Sequence, residues 1–138
     1  LSCIAECREG GAEYKCYSGY RSFEEQTQLY EKYLRGGAWA APPGLSAHNY
    51  GIAVDCARLR GKLVSWKPED YGTLREIAPK HGLITGAAFG DEPHLQLAGF
   101  VSGVELTPLK KAYLGTYGTE LEKLQAAWKL VEVQHDGV

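Results

Sequence analysis

Ser46-Ala47-His48-Asn49-Tyr50-Gly51-Ile52-Ala53-Val54-Asp55 sets a histidine and an aspartate seven residues apart, where a Pro/Gly-rich loop passes into an apolar segment. From Ile52 to Ala57, Ile52, Val54 and Cys56 alternate with Ala53, Asp55 and Ala57. Period-two alternation marks a strand with two unlike faces, so Asp55 is expected opposite the bulkiest apolar side chains. A second run, Asp91-Glu92-Pro93-His94-Leu95-Gln96, places another histidine at the head of an apolar stretch, and His94 to Leu97 reads as a strand. If the fold joins the two, His48, Asp55 and His94 supply two imidazoles and a carboxylate. That is a donor set zinc takes in hydrolytic sites, with a fourth position left for water. A lone loop histidine is more often simply hydrogen-bonded, and it is the company of Asp55 and His94 that raises a metal centre.

Working outward, residues 1 to 9 read as the end of a helix stopped by Gly10-Gly11, and Glu13 to Ser18 as a strand. Ser22 with Glu25 three later is a capping box for a helix whose apolar side runs through Phe23, Tyr30, Tyr33 and Leu34. Arg21 then stands on the turn just ahead of that helix. Gly36 to Ala47, with Pro42-Pro43-Gly44, is a loop. Downstream, Arg60-Gly61 is a turn before Leu63 to Trp66. Pro68 sits where a first helical turn accepts proline, with Tyr71, Leu74, Ile77 and Ala78 on the buried side and His81-Gly82 at the end. Leu83-Ile84 is a strand, followed by a Gly-rich connection. After Gly99 the pattern turns helical: Thr107-Pro108 is read as one helix start, and Thr119 with Glu122 as the capping box of another, whose Leu121, Leu124, Trp128 and Val131 form a stripe. The expectation is an α+β fold, a small antiparallel sheet carrying the site and covered by helices. Residues 1–99 form its core and 100–138 a helical C-terminal extension packed on the same domain.

The length suits one domain, and 44% apolar with 23% charged residues is ordinary for a globular chain. Fifteen basic and seventeen acidic residues leave a net charge of −2, with no basic stripe to suggest nucleic acid or an anionic membrane as partner. No apolar run reaches the ~20 residues of a membrane-spanning helix. With no Met and no signal segment visible, Leu1 is read as a processed or trimmed start. Cys3, Cys7, Cys16 and Cys56 lack CxxC spacing, which argues against a zinc site of their own and for small buried hydrophobes. His81, at a helix end, is read as a partner of the helix dipole.

The SxHxxGxAxD pattern of residues 46–55, followed by DxPH at 91–94 and preceded by Ser18-Gly19-Tyr20-Arg21-Ser22 with Gln26, Leu29 and Tyr30, resembles a family of zinc peptidases. These are the D-alanyl-D-alanine carboxypeptidases and L-alanyl-D-glutamate endopeptidases, VanY-like and phage endolysin-like, whose fold is shared with the hedgehog signalling domain. The resemblance covers roughly residues 13 to 97. It implies Zn2+ held by His48, Asp55 and His94, with Asp91 as the catalytic carboxylate. Glu92, two residues before His94, is the competing acid and is expected to turn away. Arg21 is implied as the group that holds the scissile carbonyl or a substrate carboxylate, with Ser46, Ser18 and Gln26 supporting the ligands or the substrate.

The implied activity is hydrolysis of peptidoglycan stem peptides at the cell wall or periplasm by a monomer. The Asp-x-Pro-His form favours an L-alanyl-D-glutamate endopeptidase of phage or prophage lysin type. D-alanyl-D-alanine carboxypeptidase action, or a non-catalytic zinc-containing wall-binding or phage tail module, are the alternatives.

Overall fold

The computed structural model describes residues 2–136, and their side chains as far as Val133. Among the described residues are five strands, β1 (Glu13–Ser18), β2 (Ala53–Arg60), β3 (Leu63–Ser65), β4 (Leu83–Gly86) and β5 (Asp91–Leu97). The α-helices are α1 (Ser2–Glu9), α2 (Phe23–Leu34), α3 (Gly72–Ile77), α4 (Gly103–Leu114) and α5 (Glu120–Asp136). Leu1, the first residue of the stretch read as a helix end, lies outside the described residues. The α+β expectation holds. No described helix is long and apolar enough to cross a membrane. Two compact units divide the chain: Leu1–Gly19 with Ile52–Ala98, and Tyr20–Gly51 with Gly99–Val138.

The first unit holds the whole sheet, in the order β1-β2-β5-β4 with β3 beside β2, every pair antiparallel. β2 outruns the short strand read from its alternation, because Arg60 pairs with Leu63 across a two-residue turn. Gly61 takes φ +62° there, a left-handed backbone that costs glycine little. The segment read as one helix from Pro68 is three short pieces: a 3-10 turn over Pro68–Tyr71, then α3, then a second 3-10 turn over Ala78–His81. Pro79 has no N–H to continue the α-helical ladder, so the chain tightens instead.

Tyr71, Leu74 and Ala78 are buried as expected, packed with Cys3, Ile4 and Cys7 of α1 and with Tyr14, Cys56 and Leu95 of the sheet. Two tyrosines in this core keep their hydroxyls satisfied: Tyr71 donates to Cys56 O at 2.6 Å and Tyr14 to Asp70 O at 2.8 Å. His81 stands in the last turn of the second 3-10 piece, as read, and also faces the Glu6 carboxylate of α1 at 2.9 Å.

In the second unit, Ser22 and Glu25 form both halves of the capping box that starts α2. Of the apolar side read for this helix, Phe23, Tyr30 and Tyr33 are half-buried and Leu34 departs. Leu34 is 64% exposed, whereas Gln26 is fully buried. A buried amide is tolerated when its hydrogen bonds are made, and here Gln26 Oε1 accepts from Arg21 Nη1 at 3.0 Å while its Nε2 donates to Ala41 O at 2.9 Å. Phe23 stacks on Tyr113 of α4, centroids 4.0 Å apart, and meets Tyr50 edge-on at 5.9 Å.

α4 begins at Gly103, before the Thr107-Pro108 start, because Ser102 and Glu105 make a capping box. Pro108 lies inside the helix, and the backbone bond it forfeits would have gone to the carbonyl of Val104, near the solvent-facing end. Thr119 and Glu122 cap α5 as read. Its buried stripe is Leu124, Ala127 and Val131, with Leu121 54% exposed, and Trp128 Nε1 donates to Tyr50 O at 2.7 Å.

Leu74 is fully buried and Leu34 is exposed. Leu74→Ala removes a fully enclosed side chain and is expected to cost about 2–5 kcal/mol of unfolding free energy. Leu34→Ala should change it by less than about 0.5 kcal/mol. Urea unfolding followed by circular dichroism reads both.

Candidate metal centre

β2 lies between β1 and β5, and Asp55 is in register with Ser18 on one side and His94 on the other. Directly opposed residues in an antiparallel ladder point their side chains to one face, so Ser18, Asp55 and His94 share a face of the sheet. The His94 Nδ1 stands 3.6 Å from Asp55 Oδ1 and 3.9 Å from Asp91 Oδ2.

The other ring nitrogen, Nε2, is 2.6 Å from Gln96 Oε1. Gln96 is oriented by its own amide, which donates to Leu97 O at 3.1 Å, so its oxygen faces the imidazole. Nε2 therefore carries a hydrogen, and Nδ1 is the ring nitrogen turned toward the carboxylates. Burial alone would lower the His94 pKa. Hydrogen bonds to Asp55 and Gln96, with the charges of Asp55 and Asp91, outweigh it and raise the pKa above the ordinary histidine value. The surroundings of Nδ1 thus favour a positive charge, a proton or a metal cation.

His48 belongs to a single 3-10 turn, Ala47–Tyr50, and is 4% exposed. Ser46 caps the turn, accepting the His48 N–H at 3.3 Å, and Gly51 closes it in the left-handed region at φ 70°. The Arg21 N–H donates to His48 O at 3.0 Å. Asn49, wholly buried, ties the same neighbourhood together: its Oδ1 accepts from Gly44 N at 3.0 Å and its Nδ2 donates to Arg21 O at 2.9 Å. Tyr50, two residues after His48, is buried packing whose hydroxyl donates to Gly44 O at 2.6 Å.

His48, Asp55 and His94 form a group suited to a metal ion, one ligand atom from each lying within 4.8 Å of the others. Two ligands of a tetrahedral zinc, each at about 2.1 Å, stand about 3.4 Å apart. The 3.6 Å between His94 Nδ1 and Asp55 Oδ1 is close to that spacing. Neutral imidazoles with one carboxylate, and the partner that fixes the tautomer of His94, fit the ion.

The two candidate acids part ways. Strict strand alternation would give Glu92, two residues from His94, the same face as that histidine. The alternation is broken here: the β4–β5 register shifts between Thr85 and Gly86, and Pro93 has no N–H for the ladder. Glu92 instead pairs with Arg75 at 2.9 Å, and it is the Asp91 carboxylate that stands near His94 Nδ1. Residue-by-residue reading overlooked Gln96 and Asn49. Gln96 carried a signal, since an amide two positions beyond a ligand histidine on one strand shares its face. Asn49 carried none, because its partners are backbone groups distant in sequence.

The family model described as VanY, D-alanyl-D-alanine carboxypeptidase, matches residues 2–92, a span that contains His48, Asp55 and Asp91. The chain belongs to the VanY family. A D-alanyl-D-alanine carboxypeptidase of Enterococcus faecium is 36% identical over 67 residues, which make up 49% of this chain. The match spans only 21% of that relative's length.

Among solved structures, DacB from Streptococcus pneumoniae D39 is 26% identical with a TM-score of 0.54, over 85% of this chain and 73% of DacB. The LD-carboxypeptidase LdcB is 27% identical with a TM-score of 0.56, over 80% of this chain and 65% of LdcB. A mutant of the vancomycin resistance D,D-pentapeptidase VanY, solved in complex with Zn(II), shares the fold at 24% identity and a TM-score of 0.50, over 89% of this chain and 78% of VanY. The family expected from the motifs is the one that matches.

Metal affinity tests the geometry. His48→Ala should abolish stoichiometric zinc binding. Gln96→Leu, which leaves all three ligands but removes the acceptor at His94 Nε2, should weaken it about 10–100-fold in a chelator competition titration.

Proposed function

We propose that this chain is a zinc-dependent peptidase that hydrolyses peptidoglycan stem peptides. The observation that carries the reading is the gathering of His48, Asp55 and His94, with the Asp91 carboxylate 3.9 Å from His94 Nδ1. Zinc held by the three ligands would lower the pKa of a bound water to about 7 and polarise the scissile carbonyl. Asp91, half exposed, takes the proton of the attacking water on its carboxylate and returns it to the departing amine. Arg21 spends one N–H on Gln26 and has further donors for the carbonyl oxygen as charge develops on it, or for a substrate carboxylate. Gln26 positions that guanidinium. Ser46 holds the backbone turn of His48, and Ser18 stands beside Asp55 in the ladder, next to where substrate would lie.

For the bond, we infer the L-alanyl-D-glutamate linkage, cut from within by a lysin of phage or prophage type acting at the cell wall as a monomer. Support for it is the Asp91-Glu92-Pro93-His94 form, an aspartate three residues ahead of the last ligand. D-alanyl-D-alanine carboxypeptidase action is the second reading, supported by the family model and the Enterococcus faecium relative.

Digestion of purified peptidoglycan, with the new termini identified by mass spectrometry, separates the two. Endopeptidase action leaves a new N-terminal glutamate. Release of free D-alanine without it would replace that reading by the carboxypeptidase one. Asp91→Asn should lower kcat about 100- to 10,000-fold with zinc content unchanged, while Glu92→Gln stays near wild type. Unchanged turnover in Asp91→Asn would sink the assigned role and favour a module that binds the wall without cutting it.

A further inference from the structure

The cysteines are not equivalent. Cys3, Cys7 and Cys56 are buried in the core of the first unit, and Cys16 is exposed on β1. Cys16 and Cys56 are direct cross-strand partners in the β1–β2 ladder, forty residues apart in sequence, and their Sγ atoms stand 3.2 Å apart. Directly opposed residues of an antiparallel pair have Cα atoms about 4.5–5.5 Å apart, inside the range a disulfide accepts. Closing the sulfurs to the bonded distance of about 2.05 Å asks for side-chain rotation and no shift of register. The backbone around Cys56 is already held, since its carbonyl accepts the Tyr71 hydroxyl. Cys3 and Cys7 lie on one helix and both face the core, with no exposed sulfur for an oxidant to meet.

We propose that Cys16 and Cys56 are a redox-active pair that closes to a cross-strand disulfide in an oxidising environment. With a low-molecular-weight disulfide such as oxidised glutathione as the oxidant, the exposed Cys16 Sγ attacks one of its sulfurs. A Cys16–glutathione bond forms and one glutathione leaves. The Cys56 Sγ then attacks Cys16 Sγ, and the second glutathione leaves. Two protein thiols are oxidised, the small disulfide is reduced to two thiols, and the two protons leave the cysteines for the glutathiones. The new bond clasps β1 to β2 one residue from Asp55, beside the register shift between Cys16 and Ser18 that sets Ser18 against Asp55. It also closes a long loop, which restricts the unfolded chain.

The test uses the zinc-loaded protein treated with excess oxidised glutathione, then alkylated and mapped without reduction. The expected result is a Cys16–Cys56 linked peptide two hydrogens lighter than its reduced parts, with Cys3 and Cys7 carried through as thiols, and a Tm raised by about 10 °C. Cys56→Ser should instead retain one glutathione on Cys16. Should that buried change prevent folding, Cys16→Ser at the exposed position should lose the oxidant-induced rise in Tm. Alkylated Cys16 and Cys56 after treatment, a glutathione persisting on Cys16 of the unaltered protein, or a link from Cys56 to Cys3 or Cys7 would each overturn the proposal.

Discussion

The pairing of Asp55 with His94 across β2 and β5 is the constraint on which the site depends. A strand's side chains alternate, so a slip of one residue would carry every side chain of β2 to the other face and put Asp55 in the core. What prevents the slip is the other face of the same strands. Cys56 and Leu95 are locked with Tyr14, Tyr71 and Leu74 in a closely filled core. The apolar face therefore sets the register, and the register sets the ligand spacing. Gln96, two residues on from His94, completes the arrangement by fixing which nitrogen faces the carboxylates.

His48 is held by different means. Its turn is short and its neighbourhood is built from hydrogen bonds: Ser46 to its N–H, the Arg21 N–H to its carbonyl, and Asn49 joining Gly44 to Arg21. Gln26 adds the guanidinium of Arg21 to the same network. Buried polar groups of this kind are costly when left unsatisfied and rigid when satisfied. The loop that carries His48 is thereby fixed without a strand to support it.

Much of this was legible in the residues. Alternation marked β1 and the start of β2, and Ser22–Glu25 and Thr119–Glu122 declared two helix starts. What escaped follows from interactions that local patterns do not carry. Gln26 is buried because of partners elsewhere in the fold, so an apolar count left it out of the face of α2 that holds Phe23, Tyr30 and Tyr33, and placed the exposed Leu34 inward. The Ser102–Glu105 box was present in the sequence but competed with Thr107-Pro108, an equally good local signal for a start. The choice between Asp91 and Glu92 turns on a register shift and on Arg75, a partner seventeen residues away. The metal ligands themselves were legible because their residue types and order were, while the tautomer that prepares His94 needed coordinates.

A metal held by His48, Asp55 and His94 has nitrogen and oxygen donors, with no part for the four cysteines. Zinc K-edge X-ray absorption on the protein loaded with one equivalent reads the donor atoms directly. The expected first shell is nitrogen and oxygen at about 2.0–2.2 Å, with the outer-shell scattering of two imidazole rings and no sulfur. A zinc–sulfur distance of about 2.3 Å would contradict it.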